Sequence, residues 1–337
     1  MKSLLGKGIA FALAGTMVLA TASCGGSGDS KTQTADSSTG SLEKVEMYTI
    51  PAPQMSAAHV IAMEKGYYEE ECLEKGMTEP YGHAVSRPPV VAVEATERAI
   101  SLAKLAKAPL YVAHVTAKGA MEAIRDAYAD GYPIFGETCT HYLTLTTDNL
   151  AKPNFEGAKY VCSPALRSQE QLDALWGAVK KGYLNAISSD HCGFNWKDNK
   201  HQGKDNFVNI PNGAPGMGDR MNVIWTYGVE TGKISRQKYV ELCCTNPAKI
   251  NGIYPQKGVI APGSDADIVI FDPEYEGVFT NADSLQGVDY STYEGMKQKG
   301  RPDKVFLRGE LVADCGKYVG KSGTGQFVSA KPFGLCY

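Results

Sequence analysis

From residue 94 to residue 190 the chain alternates helix-like and strand-like segments, and that alternation narrows the fold more than any other feature. EATERAISLAKLAK (94–107) sets Ile100, Leu102, Ala103, Leu105 and Ala106 on or near one stripe, as an amphipathic helix does. PLYVAHV (109–115) is an apolar run of strand length. KGAMEAIRDAYADG (118–131) predicts a helix closing at Gly131, and YPIFGETC (132–139) a strand. SQEQLDALWGAVKKG (168–182) predicts a helix started by Ser168, and NAISSD (185–190) another strand. Strands separated by helices of this length pair in parallel, in an α/β sheet or a barrel.

The last of these strands carries the chemistry. AISSDHCGF (186–194) is apolar until it ends in Ser188, Ser189, Asp190 and His191. In β/α barrels that end of the strands carries the active site. Burial makes an unpaired carboxylate costly, and a metal ion would resolve the cost. His114 ends PLYVAHV in the same way. Imidazole and carboxylate at corresponding ends of parallel strands would face one pocket and suit zinc or a similar divalent ion. Taken alone, a strand-end histidine more often bonds to backbone, and Asp190 alone reads equally well as a helix cap or loop carboxylate. Alternation turns His191 away from Asp190, toward an orienting role. His141, after GETCT, reads as structural. His59, His83 and His201 fall in a helix, a turn and a loop, and no histidine pair has HxH or HxxxH spacing.

Other motifs are weaker. GKSGTG (320–325) lacks the Gly that a phosphate loop needs five residues earlier, where Cys315 stands, so it reads as a surface turn. GSDADIVIFD (263–272) alternates with apolar residues and reads as a strand entry. NIPNGAPG (209–216) could present backbone to a polar ligand, or be a plain turn cluster. Residues 191–219 form a long Asn-, Gly- and Lys-rich loop, of the kind that is functional or disordered. Helices are predicted around 220–231 and 235–244. After Asn246-Pro247, residues 258–273 and 304–319 read as short strands of a separate β layer.

The flanks add a second theme. VEMYTIP (45–51) predicts a strand, and residues 55–71 a helix ending in a solvated acidic run. Lys2, Lys7 and the uncharged stretch 8–23 have the layout of a secretory signal. TASC before a Gly/Ser tract resembles a bacterial lipoprotein signal, which would make Cys24 the lipidated residue. Residues 25–44 carry almost no apolar side chains, so their composition predicts a flexible tether. A net charge of −3 without a Lys/Arg run argues against a nucleic-acid surface. The nine cysteines show no CxxC spacing and no disulfide framework.

From about Glu74 onward the chain resembles the C-terminal part of the dihydropyrimidinase and D-hydantoinase family, cyclic amidohydrolases. The motifs are HAVSRPP (83–89), LYVAHVT (110–116), FGETCTHYL (135–143), YVCSPALR (160–167), SSDHCGFN (188–195), PNGAPGMGDR (211–220), TNPAKI (245–250), GVIAPGSDADIVIFDP (258–273) and VDYSTYEG (288–295). The resemblance implies a TIM-type β/α barrel with a β-sandwich, and two metals, usually zinc, that serve hydrolysis of a ring amide. It implies metal ligation by His114 and Asp190, proton transfer by Asp190, and backbone recognition of the ring imide at Ser163 and Asn212. It also implies a cytoplasmic homo-oligomer acting on a small cyclic amide or imide.

The family's HxH pair, bridging carboxylated lysine and further histidine have no counterpart. Residues 45–190 leave about 145 places, where a complete barrel domain takes about 250. The expectation is therefore an incomplete α/β barrel over 72–250 with a C-terminal β portion over 251–337. Little activity is expected of this chain alone, because two ligands cannot hold a binuclear centre. Residues 45–71 resemble the start of a solute-binding lipoprotein of an ABC transporter, which makes the chain a hybrid with an exported, lipid-anchored leader. An exported solute-binding lipoprotein or a non-catalytic scaffold is the alternative reading.

Overall fold

The computed structural model describes residues 65–331. The signal segment with Cys24, the tether, the strand at 45–51 and most of the helix at 55–71 lie outside the described residues.

Helix α1 (Tyr67–Glu74) starts after Gly66, whose φ is 74°. The acidic run expected in solvent is partly inside: Glu69 is buried and pairs with Arg87 at 2.9 Å. Helix α2 (Pro89–Ala106) begins earlier than the apolar stripe. A proline at the first helical position loses no hydrogen bond there and has its φ already set. Strand β1 (Leu110–Val112), helix α3 (Lys118–Ala129), strand β2 (Ile134–Cys139), helix α4 (Gln169–Lys181) and strand β3 (Ala186–Ser188) follow. Helix α3 buries Ala120, Met121, Ile124 and Ala127, a one-faced helical spacing. Helix α4 ends at Gly182 with φ 78°, the left-handed stop that glycine permits.

The three strands form a parallel sheet in the order β1-β2-β3, with Val112 level with Gly136 and Cys139 level with Ser188. β1 and β3 are only three residues long, shorter than the apolar runs around them. The polar residues just past them turn the chain out of the ladder. Ile134, Phe135, Ala186, Ile187, Leu175 and Val179 form the buried centre between sheet and helices.

Residues 191–219 are not structureless. Two tight turns, Lys200–Gly203 and Phe207–Asn209, punctuate them. A helical stretch follows from Arg220 to Val229, and Arg236–Val240, Glu241–Thr245 and Asn246–Ile250 run consecutively.

The second layer is an antiparallel sheet, β4 (Ile268–Val278), β5 (Lys297–Leu307), β6 (Glu310–Asp314) and β7 (Lys317–Tyr318), in that order. Strand β5 starts before the predicted 304–319 stretch and takes Pro302 into its middle. The pairing shifts register between Ile270 and Phe271, opposite Pro302, and an irregularity is where a strand tolerates proline. The two layers join where Phe271 packs on Trp225, with ring centroids 4.2 Å apart.

The β4–β5 connection folds back onto the 191–219 segment. Asp289 accepts from the backbone N–H groups of Trp196 (2.6 Å) and Lys197 (3.2 Å). Asp219 accepts from Gln286 (3.1 Å) and Ser291 (3.3 Å), and Thr292 donates to the Pro215 carbonyl at 2.6 Å. The motif VDYSTYEG thus holds the long loop against the parallel sheet.

His83 is buried and donates from Nε2 to the Cys162 carbonyl at 2.8 Å. Burial, then the nearby Arg87, lower its pKa to about 3. An unfolded histidine titrates near 6.5, so the unfolded chain binds more protons between those values, and stability rises with pH across that window. Thermal melts from pH 7 down to pH 4 are expected to show falling stability, by at most about 1.4 kcal/mol per pH unit from His83. The His83→Gln variant is expected to show a shallower slope.

Candidate functional site

The parallel register sets the site. His114, His141 and Asp190 each stand two residues beyond the last residue of a strand, Val112, Cys139 and Ser188 respectively. Strand-end chemistry therefore recurs three times at one offset. At His114 (φ 41°) and Asp190 (φ 45°) the backbone is left-handed. Residues other than glycine seldom adopt that conformation, and it recurs at functional sites.

The side chains converge. One ligand atom each from Cys139, His141 and Asp190 lies within 4.8 Å of the others. His114 faces both neighbours: its charge lowers the pKa of Asp190 and of His141, in each case second to burial. Burial dominates at Asp190 and raises its pKa, and the Glu137 carboxylate adds to that rise. Burial, then His114, lower the pKa of His141 to about 3, so its ring is neutral at physiological pH. Its Nε2 is buried and has no hydrogen-bond partner among the described residues.

Glu137 anchors a small network behind the cluster. Tyr111 donates to one carboxylate oxygen at 2.9 Å and Ser188 to the other at 2.8 Å. The Cys139 thiol lies 3.1 Å from Ser188 Oγ. Burial raises the Cys139 pKa well above the usual thiol value, so this sulfur stays protonated.

This donor set fits one divalent ion. A neutral, unpartnered imidazole nitrogen and a desolvated carboxylate are groups whose burial a cation would offset. Asp190 lies in this group, and His114 stands beside it as an electrostatic neighbour of Asp190 and His141. His141 was expected to be structural, and the structure instead brings it into the cluster. The signal was present in the sequence as the same strand-end offset that marks His114 and Asp190. The other donor group among the described residues, Asp303, Asp314 and Cys315, belongs to the antiparallel sheet.

The two residues expected to meet a substrate lie on neighbouring segments. Ser163 is exposed, and the carbonyls around it are tied: Cys162 to His83, and Pro164 to Tyr142 at 2.7 Å. The Gly213 amide donates to the Val161 carbonyl at 3.0 Å, which joins Asn212's loop to Ser163's. Gly213 has φ 152°, and a Cβ there would come within 2.5 Å of the Cys192 carbonyl. His191 Nδ1 accepts from the Gly216 amide at 3.2 Å. Asn212 Oδ1 is buried with no partner among the described residues. A surface hollow of 770 Å³ lined by Glu79, Tyr81, Leu150, Lys152, Phe155 and Lys204 shares no residue with this cluster.

The amidohydrolase family profile matches residues 55–312. The chain belongs to the amidohydrolase family. It is 45% identical over 267 residues to the D-hydantoinase of Ralstonia pickettii, covering 79% of this chain and 58% of that relative. To the D-hydantoinase of Geobacillus stearothermophilus it is 43% identical over 289 residues, covering 85% of this chain and 61% of the relative. The solved dihydropyrimidinase of Brevibacillus agri superimposes with a TM-score of 0.79 at 43% identity, over 81% of this chain and 59% of that one. The chain thus spans about 60% of the length of these relatives. The family match begins at residue 55, ahead of the motifs that start at His83, and overlaps the 45–71 segment read as solute-binding.

Replacing Asp190 by Asn keeps a residue that tolerates positive φ and removes the desolvated charge. Without metal, Asp190→Asn is expected to melt at or above the wild-type temperature. In calorimetric titration its Zn²⁺ affinity is expected to fall by at least about 10-fold, the smallest loss seen when an outer partner of a metal site is removed. Unchanged affinity would remove Asp190 from the donor set.

Proposed function

We propose that this chain is a metal-dependent hydrolase of cyclic amides, of the hydantoinase and dihydropyrimidinase kind, with its reaction at the ends of β1, β2 and β3. The close approach of the His141 and Asp190 donor atoms, with His114 at the same offset past its own strand and electrostatically felt by both, carries this reading. Identity of 43–45% to D-hydantoinases supports the substrate class. On this reading the three strands are one arc of a β/α barrel, and the antiparallel sheet is part of a β-sandwich. Export through residues 1–24 and lipid attachment at Cys24 belong to the same proposal.

His114, His141 and Asp190 would hold the ion, with zinc the expected metal. Bound there, it would lower the pKa of a water molecule and polarise a carbonyl. The chain's own residues do the rest. Burial raises the Asp190 pKa, which suits a carboxylate oxygen to receive a proton from the attacking water. Asp190 then delivers that proton to the ring nitrogen as the C–N bond breaks and the new C–O bond completes the acid. The backbone groups of Ser163 and Asn212 orient the ring imide. Asn212 Oδ1, buried and unpartnered, is an acceptor suited to a ligand N–H. Glu137, fixed by Tyr111 and Ser188, keeps Asp190 in a negative surrounding that favours its protonated form.

The test is ring opening of dihydrouracil and hydantoin by the full chain loaded with Zn²⁺ or Mn²⁺, read by mass spectrometry of the ureido acid. Slow, metal-dependent opening is expected, since the donor set described holds one ion. Asp190→Asn is expected to lower it by roughly 10²–10⁴-fold, the worth of a positioned acid–base group. A chain that binds metal and leaves both rings intact would contradict the proposal.

A further inference from the structure

The long loop buries a lysine that the reaction does not use. Lys200 is among the largest fully buried side chains of the described residues. Its Nζ donates to the carbonyls of Val161 (2.9 Å), Pro211 (2.6 Å) and Gly213 (2.6 Å). All three acceptors are neutral carbonyls. Only the ammonium form carries three N–H donors, so the geometry is satisfied in full by the charged group. Burial opposes that charge and draws the pKa down to about 7. A buried ammonium serves stability poorly compared with an apolar side chain of the same size. Its position explains what it does instead.

Pro211 and Gly213 flank Asn212, and Val161 lies two residues before Ser163. One ammonium therefore brackets Asn212 from both sides and reaches the neighbouring segment. The turn that carries the lysine is equally fixed. A Cβ on Gly203, at the end of Lys200–Gly203, would come within 2.4 Å of the Ile210 backbone nitrogen, just before Pro211. We propose that Lys200 is the positioning residue of the imide-binding edge, tying the Asn212 loop to the Ser163 segment so that both backbones face one ligand. The inference rests on the reading of Ser163 and Asn212 as imide-binding residues.

Amide hydrogen exchange on the full chain tests it, comparing wild type with Lys200→Met and Lys200→Arg. Exchange in Lys200→Met is expected to quicken together over 161–163 and 212–216, by about ten-fold or more, with β5 unchanged. Lys200→Arg, which keeps a charged donor, is expected to restore part of that protection. Unchanged exchange in either segment, or equal quickening along the whole chain, overturns the proposal. Should Lys200→Met fail to fold, the ¹⁵N spectrum of the lysine ammonium groups in wild type decides. A slowly exchanging ammonium signal that disappears in Lys200→Arg supports the clamp, and its absence overturns it. Dihydrouracil titration adds the functional reading: Lys200→Met weakens binding by about ten-fold, equivalent to about 1.4 kcal/mol, with Zn²⁺ affinity unchanged. Wild-type chain that binds Zn²⁺ but no dihydrouracil refutes the imide-site reading, and the exchange pattern still decides the clamp.

Discussion

Parallel pairing of β1, β2 and β3 in one register is the constraint on which the rest depends. It brings the three strand ends to the same side of the sheet. His114, His141 and Asp190 stand at the same edge because each follows its strand by two residues, and donor atoms of His141 and Asp190 lie within 4.8 Å of each other. The helices α3 and α4 serve that arrangement by covering the sheet, and their buried faces are why strands this short stay in place. Positive φ at His114 and Asp190 is the local strain that turns both side chains out of the ladder.

Two kinds of buried polar group follow, and they do opposite work. At the strand ends, Asp190 is desolvated and His141 Nε2 is buried with no hydrogen-bond partner among the described residues, which leaves a lone pair ready for a cation. Between the segments of Ser163 and Asn212, Lys200 is desolvated with a full complement of acceptors, which makes it a fastening. The antiparallel sheet contributes at a distance. Its β4–β5 connection pins residues 196, 197, 215 and 219 through Asp289, Thr292, Gln286 and Ser291. Loss of that layer would free the loop that carries Lys200 and Asn212.

Much of this was legible in the residues. The alternation from 94 to 190 placed α2, α3, α4 and the three strands, and the polar ends of PLYVAHV and AISSD located His114 and Asp190. His141 reads as structural from its polar neighbours in GETCT, and only the end of β2 at Cys139 reveals that it shares the offset of His114 and Asp190. Glu69 looked solvated because its partner, Arg87, lies on a distant segment. Strand β5 began early because Pro302 sits at a register shift, a compensation that only pairing reveals. Lys200 was unreadable for the deepest reason. In an Asn-, Gly- and Lys-rich loop, a lysine that satisfies three carbonyls has the same local sequence as one in solvent.

The central claim is that the three strand ends hold one divalent ion through imidazole and carboxylate donors. X-ray absorption at the zinc edge, on the full chain loaded to saturation, tests it directly. The account predicts one zinc per chain, with nitrogen and oxygen neighbours at about 2.0–2.2 Å and a two-imidazole signature that loses one imidazole in His141→Ala. A zinc with sulfur neighbours that is unaltered by His141→Ala would place the ion elsewhere and contradict the account.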